Sequence, residues 1–301
     1  MALEIAGLLE DLQERLRPLR SRLFPRQLLI ELWDDGVRGQ MLADGRPRAV
    51  RFDAPLPPLT CRNGMPLERE PIGDLIGDLM VRDNLMEAFV MAALPPSSVA
   101  WRVVEWPPGE PVPEDPLEGL RDFDPDSLRL PFSFSDAVID IRRLPGTEPL
   151  AIVAASPRAV VEAWIQVFNH AGARLERLAP AQSCEFLGLS ARLAGVSSRD
   201  LVVLLSQAPA GTRLLMVRNG IPRFDRPIDA EGLQLVEEVA RSVAFYRHVD
   251  PDVRGVRMIL SSPLPESEEL GARLGVKPEI LGPSPFDSLV MEGLAVPEAE
   301  A

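Results

Sequence analysis

The amino-acid sequence predicts a mixed α/β fold of two similar lobes, the first of which carries an inserted ββ-ββα subdomain. A meander of three strands followed by a helix stands near the start of the chain, and the same order of elements recurs in residues 201–249. Such an internal repeat indicates two lobes with the same core that face each other across a cleft. With 301 residues and 46% hydrophobic content, the chain is long enough to form both lobes.

The first lobe begins with strand patterns at 28–33, 37–43 and 48–52, which Asp-Gly pairs separate. The helix that follows has one apolar stripe, formed by Ile72, Leu75, Ile76, Leu79 and Met80. Because this stripe must be covered, we expect the helix to pack on the sheet. A short strand at 173–179 and a helix around Gln182–Ala194 end this half of the chain.

The inserted subdomain is predicted from strand-like runs at 87–95 and 98–107, an acidic proline-rich loop, and two strands within 134–156. The loop reads as a solvated connection, with a catalytic carboxylate cluster as the alternative. A helix then begins with Ser156 as the predicted N-cap and ends at Gly172. His170 lies near that end with no second ligand in sight, so we interpret it as a surface histidine.

The second lobe contains three strands within 201–228, including an Asn-Gly turn, and then a helix at 231–249. A strand at 256–262 and a short helix at 266–275 follow. The predicted domains are an N-terminal amphipathic helix at 1–25, a first lobe at 26–83 with 179–197, an inserted subdomain at 84–178 and a second lobe at 198–301.

Composition excludes several classes of function. The net charge of −13 opposes general binding to nucleic acid, whose phosphates favour a basic surface. Two cysteines and two histidines at unrelated positions do not form a zinc set, so we predict no metal site and buried free thiols. Lys277 is the single lysine, which removes the Walker lysine and the Schiff base from consideration.

Residues 1–25 place leucines at helical spacing, with acidic residues early and arginines late. We expect this helix to pack on a protein domain; a membrane-surface role is the alternative, which the acidic first half opposes on anionic lipid. No stretch approaches the ~20 apolar residues of a membrane-spanning helix. The start also lacks the apolar core of a signal peptide, so we expect a cytoplasmic protein without a transmembrane segment.

Five segments in order resemble the type IV pilus assembly protein PilM family of the actin-like ATPase superfamily. They are "VRDNLMEAFVMAALPPSSVAWRVVEWP", "LRLPFSFSDAVIDIRRL", "AIVAASPRAVVEAWIQVFNHAGARLERL", "VRNGIPRFDRPI" and "VEEVARSVAFYRH". The resemblance covers roughly residues 28–296. It implies an actin-like, or ribonuclease H-like, duplicated two-lobe fold, which agrees with the repeat.

The resemblance also implies that three glycine-containing sequence sites together bind ATP, and this chain departs from the family pattern at each. In the first, Glu31 stands for an aspartate, Trp33 for a glycine and Arg38 for a lysine. We expect Trp33 to fill the space of a phosphate, and the acidic pair that follows it, at 34–35, to repel one. In the second, a leucine that holds no magnesium replaces the aspartate and a serine replaces the glycine; in the third, two serines replace glycines. These four residues are Leu204, Ser206, Ser261 and Ser262.

We therefore expect a pseudo-ATPase with no catalytic residues and no cofactor: a scaffold of a type IV or competence pilus machine. By resemblance it would bind the cytoplasmic N-terminal segment of a PilN-like single-span inner-membrane protein and contact the pilus assembly ATPase. It would thus sit at the inner membrane through its partners. The alternatives are an active actin-like ATPase or sugar kinase, in which Glu31 replaces the aspartate, and a GspL-like cytoplasmic domain of type II secretion, which the lack of a following transmembrane helix disfavours.

Overall fold

The computed structural model describes residues 26–106, 128, 130–144, 149–190, 192–193, 196–197, 199–208 and 211–296. The predicted helix at 1–25 and most of the acidic loop lie outside these residues. The strands are β1 Gln27–Leu32, β2 Gly36–Ala43, β3 Arg46–Pro55, β4 Cys61–Arg62, β5 Met65–Pro66, β6 Phe89–Leu94, β7 Ala100–Glu105, β8 Ala137–Arg143, β9 Leu150–Pro157, β10 Arg174–Pro180, β11 Asp200–Ala208, β12 Gly211–Arg218, β13 Ile221–Ile228, β14 Gly255–Leu260 and β15 Glu279–Ile280. The helices are α1 Arg69–Arg82, α2 Arg158–His170, α3 Ala181–Ser190, α4 Gly232–Val249, α5 Ser267–Leu274 and α6 Leu289–Leu294.

Two five-stranded sheets of the same design form the lobes. The first has the order β10-β6-β1-β2-β3, in which β1, β2 and β3 are antiparallel and β6 and β10 continue the sheet in parallel. The second has the order β13-β12-β11-β14-β15, again with one antiparallel meander and two parallel strands. The predicted duplication and the mixed α/β fold class are confirmed.

The inserted subdomain is smaller than predicted. Its sheet contains only β7, β9 and β8, all antiparallel, with α2 following β9. Strand β6, which the predicted insert at 84–178 includes, instead pairs with β1 in the first sheet. Strand β10, most of which the predicted insert also includes, pairs with β6 in the same sheet. Parallel pairing joins strands far apart in sequence, so it leaves no local signature.

The end of the chain also departs from the predicted boundary of the second lobe. Helix α6 packs against α3 and β1 of the first lobe, not on the second sheet. Its residues Val290, Met291 and Leu294 join an apolar cluster with Leu29 and Met91. The chain therefore crosses from the second lobe to the first after β15.

One hydrophobic core joins the two lobes. It contains Leu28 and Ile30 of β1 together with Val202 and Leu204 of β11, and all four side chains are buried. The opposite face of the second sheet has a separate core under α4. Strand β11 thus has apolar side chains on both faces, which is why its sequence is a continuous apolar run.

Helix α2 begins without the predicted cap. Ser156 belongs to β9, and its hydroxyl donates to the carbonyl oxygen of Ser98 at 2.9 Å, so the N-cap position falls on Pro157. The predicted end is correct, since Gly172 follows the helix at a φ of 67°, a left-handed value that favours glycine. His170 pairs with the exposed Asp74 at 2.8 Å, as expected of a surface histidine.

None of the helices in the described part of the chain combines the length and apolar character needed to cross a membrane.

Candidate functional site between the lobes

A cavity of about 310 Å³ lies between the two lobes, where the sequence predicts the degenerate nucleotide site. Its walls include five of the seven residues that we assigned to the three ATP-binding sites: Glu31, Arg38, Ser206, Ser261 and Ser262. The two halves of the repeat therefore bring these positions together. Trp33 and Leu204 do not line the cavity.

Glu31 lies at the end of β1 and is 6% exposed. Its carboxylate accepts a hydrogen bond of 2.7 Å from the hydroxyl of Ser288, which also caps helix α6. Burial raises the pKa of Glu31, and the Ser288 hydrogen bond and the Arg38 charge only partly offset this effect. The residue in the family's aspartate position is thus engaged by the chain's own serine.

Leu204 is the residue of the second lobe in the corresponding aspartate position. It is fully buried and belongs to the core that joins the lobes, where it packs with first-lobe residues such as Ile30. A leucine in this core offers no oxygen to a cation or to water.

Trp33 covers the turn between β1 and β2. A Cβ atom at Gly36 would lie 2.3 Å from the indole nitrogen, so the indole rests directly on the glycine backbone. The guanidinium of Arg38 lies 5.3 Å from the centre of the indole ring and also forms an ion pair of 2.9 Å with Asp53. Trp33 and Arg38 therefore have their partners within the β1–β2–β3 meander.

Asp34 has a different role from the one expected. Its carboxylate accepts hydrogen bonds from the backbone amides of Asn63 at 2.8 Å and Gly64 at 2.5 Å, in the small β4–β5 hairpin. Trp164 of α2 donates to the carbonyl of Gly64 at 2.8 Å. Asp34 thus holds the β4–β5 hairpin in place beside α2. These contacts do not support the expected role of Asp34 in repelling a phosphate.

The two serines of the third site form hydrogen bonds with Gln207, near the end of β11. The hydroxyl of Ser261 accepts from the backbone amide of Gln207 at 3.0 Å, and that of Ser262 donates to the Gln207 side chain at 3.2 Å. The hydroxyl groups of both serines are thus engaged by Gln207 of the neighbouring strand β11.

The sequence did not reveal a buried charge cluster behind Ser206. Glu185 of α3 is 6% exposed and is hydrogen-bonded by Ser206. Arg213 lies near Glu185 and forms an ion pair with Asp225. Burial raises the pKa of both carboxyl groups, and the charge of Arg213 opposes the rise in each case. The one available signal is a lone charged residue in the apolar run "CEFLGL".

The donor set does not fit magnesium and ATP. In the described residues, no group of three histidine, cysteine, aspartate or glutamate side chains is placed to hold a metal ion. Glu31 is bonded to Ser288, Leu204 has no ligand atom, and residues 281–290 of the chain itself form one wall of the cavity. The volume of this cavity is at the lower limit of the ~300–1,000 Å³ range of ligand pockets.

No protein-family model matches the chain, and no curated protein matches it. Solved structures do. A chain of the PilM-PilN type IV pilus biogenesis complex is 19% identical with a TM-score of 0.72, and the match covers 89% of this chain and 97% of that one. A protein of unknown function with an actin-like ATPase fold, from Bacteroides thetaiotaomicron, is 10% identical with a TM-score of 0.55, covering 90% and 95%. The duplicated sheets and these matches together show that the chain has the actin-like fold.

Proposed function

We propose that this chain is a PilM-like, non-catalytic scaffold of a type IV or competence pilus assembly machine. Two independent observations support the proposal. The five sequence segments follow the order of the PilM family, and the similar structure with the TM-score of 0.72 is that of a PilM-PilN complex. The fold alone does not determine function, so the non-catalytic role depends on the chemistry of the interlobe site.

The observation that carries the non-catalytic role is the hydrogen bond between Ser288 and Glu31. Phosphoryl transfer in any fold depends on charged groups and metal ions positioned around the phosphates. Here the acid of the first lobe is buried against a serine, and the corresponding residue of the second lobe is a core leucine. These contacts favour the non-catalytic role over the alternative of an active ATPase or sugar kinase.

The partner is inferred from the resemblance. We propose that the chain binds the cytoplasmic N-terminal segment of a PilN-like single-span inner-membrane protein, and that contact with a pilus assembly ATPase follows from this complex. The protein would then act in the cytoplasm, at the inner membrane, through its partner.

The partner proposal predicts direct binding of a short peptide. A labelled synthetic peptide from the first residues of a PilN-like single-span protein of the same organism should bind with saturation, as measured by fluorescence anisotropy. A peptide of the same composition in scrambled order is the control. Equal signals from the two peptides, with the protein folded by circular dichroism, would reject the partner proposal and leave the fold unaffected.

A further inference from the structure

The segment 281–292, which we call the strap, runs along the cleft between the two lobes. Its first residue donates from the amide of Leu281 to the carbonyl of Leu260 at 2.8 Å, which ties the strap to β14 of the second lobe. Its last part, residues 289–292, belongs to helix α6, which packs on the first lobe. The strap is therefore anchored to both lobes, and its middle residues form one wall of the interlobe cavity.

Gln40 of β2 holds the middle of the strap. Its amide nitrogen donates to the carbonyl of Pro285 at 3.0 Å, and its amide oxygen accepts from the backbone of Asp287 at 3.1 Å. The side chain is 3% exposed, so both bonds are made away from water. Next to this clamp, Arg51 pairs with Asp287 at 2.7 Å, and Ser288 donates to Glu31.

Arg192 fixes the two ends of the strap to each other. It donates to the carbonyl of Gly282 at 3.1 Å and to the carboxylate of Glu292 at 2.6 Å. Ser284 also donates to Glu292, at 3.0 Å. The strap is thus a folded element with its own internal bonds, and it presents Ser288 to the acid of the first site.

A ligand bound between two lobes stabilises their closed arrangement only while it is bound. A segment of the same chain acts at a high effective concentration and does not dissociate from the molecule. We propose that the strap is an intramolecular occupant of the interlobe cleft, which holds the lobes in one arrangement without a nucleotide. This builds on the proposed non-catalytic function, and it identifies what replaces the nucleotide.

The test compares two buried glutamines. Gln40→Leu removes both bonds to the strap. Gln182→Leu is the matched control, because Gln182 is 4% exposed and also donates to two backbone carbonyls, those of Pro96 and Val99 at 3.2 Å each, but has no hydrogen bond to the strap. Spin labels on the exposed helix positions Glu70→Cys of the first lobe and Glu237→Cys of the second, in a Cys61→Ser background, report the distance between the lobes.

We expect Gln40→Leu to broaden the distance distribution and to speed hydrogen exchange in residues 283–292 by about tenfold, as lost hydrogen bonds lower the local opening free energy. Ser288→Ala should act in the same direction. Gln182→Leu should leave the distances and this exchange as in the wild-type protein. Unchanged distances in both strap variants, or equal broadening in the control, would overturn the proposal.

The outcomes separate this inference from the proposed function. If the wild-type protein releases phosphate from Mg-ATP, the non-catalytic role fails, whatever the distances between the lobes show. If Mg-ATP has no effect and Gln40→Leu also has none, the strap proposal fails while the non-catalytic role stands.

Discussion

Gly293→Ala should destabilise the protein by about 3 kcal/mol, at the upper end of the usual cost of overpacking. Gly293 lies where α6 crosses α3, and a Cβ atom there would be 1.8 Å from the carbonyl oxygen of Cys184. A Cβ atom at Gly188 of α3 would likewise lie 2.3 Å from the carbonyl oxygen of Leu289. Because the atoms in contact belong to the backbone, no side chain can rotate away, and the helices must separate.

Gly282→Ala is the control for this prediction. Gly282 lies in the strap, which leads into α6, but a Cβ atom there would meet nothing within 4 Å. We expect its free energy of unfolding to stay within about 0.5 kcal/mol of the wild-type value. Urea denaturation with a constant m value gives both quantities. Equal costs for the two substitutions would show that α6 does not pack on α3 as described.

Arg213→Met should cost about 3–5 kcal/mol at neutral pH, the range found when one partner of a buried ion pair is removed. The guanidinium of Arg213 is paired with the largely buried Asp225 and lowers the pKa of Glu185 through space. Its removal leaves two carboxyl groups in the interior without this compensating charge. Urea denaturation of the variant and the wild-type protein measures the loss.

The pH dependence of this loss has a definite sign. The folded-state pKa values of Glu185 and Asp225 lie above their usual values of 4.5 and 3.8 because both groups are buried. A raised folded-state pKa stabilises the fold fully below the usual pKa, and this contribution is lost as the pH rises through the folded-state value. Without Arg213 both folded-state values rise further, so the loss should be smaller near about pH 5 than near about pH 7.5.

Arg226→Met makes the same change of side chain at an ion pair with more access to water, that of Arg226 and Glu238 at 2.6 Å. Exposed ion pairs contribute little to stability. We expect a clearly smaller loss with little dependence on pH. An Arg213→Met variant that is no less stable than this control at neutral pH would contradict the buried cluster.

Local patterns predicted the two lobes. The strand patterns of the meanders and the Asp-Gly and Asn-Gly turns indicated strands β1–β3 and β11–β13, and the spacing of Ile72, Ile76 and Leu79 indicated α1. These signals lie within a few residues of each other. The seven candidate residues came from the resemblance to the PilM family, and five of them line one cavity.

Contacts between distant segments could not be predicted in this way. Ser288 and Glu31 are 257 positions apart, and no periodicity links them. Ser156 has the residue type of a cap, but its hydroxyl donates to the carbonyl oxygen of Ser98, in the connection between β6 and β7. The sequence of β6 does not indicate whether the strand belongs to the insert or to the main sheet. A buried parallel strand is a continuous apolar run, and this pattern does not identify the strand with which it pairs.

The central claim is that the interlobe site of this actin-like fold neither binds nor hydrolyses ATP. Calorimetric titration of the wild-type protein with Mg-ATP, followed by an assay of released phosphate, tests it most directly. We predict no saturable heat and no phosphate above the buffer rate. Saturable binding at one site with phosphate release, abolished by Glu31→Gln, would contradict the claim and show that the site is an active ATPase.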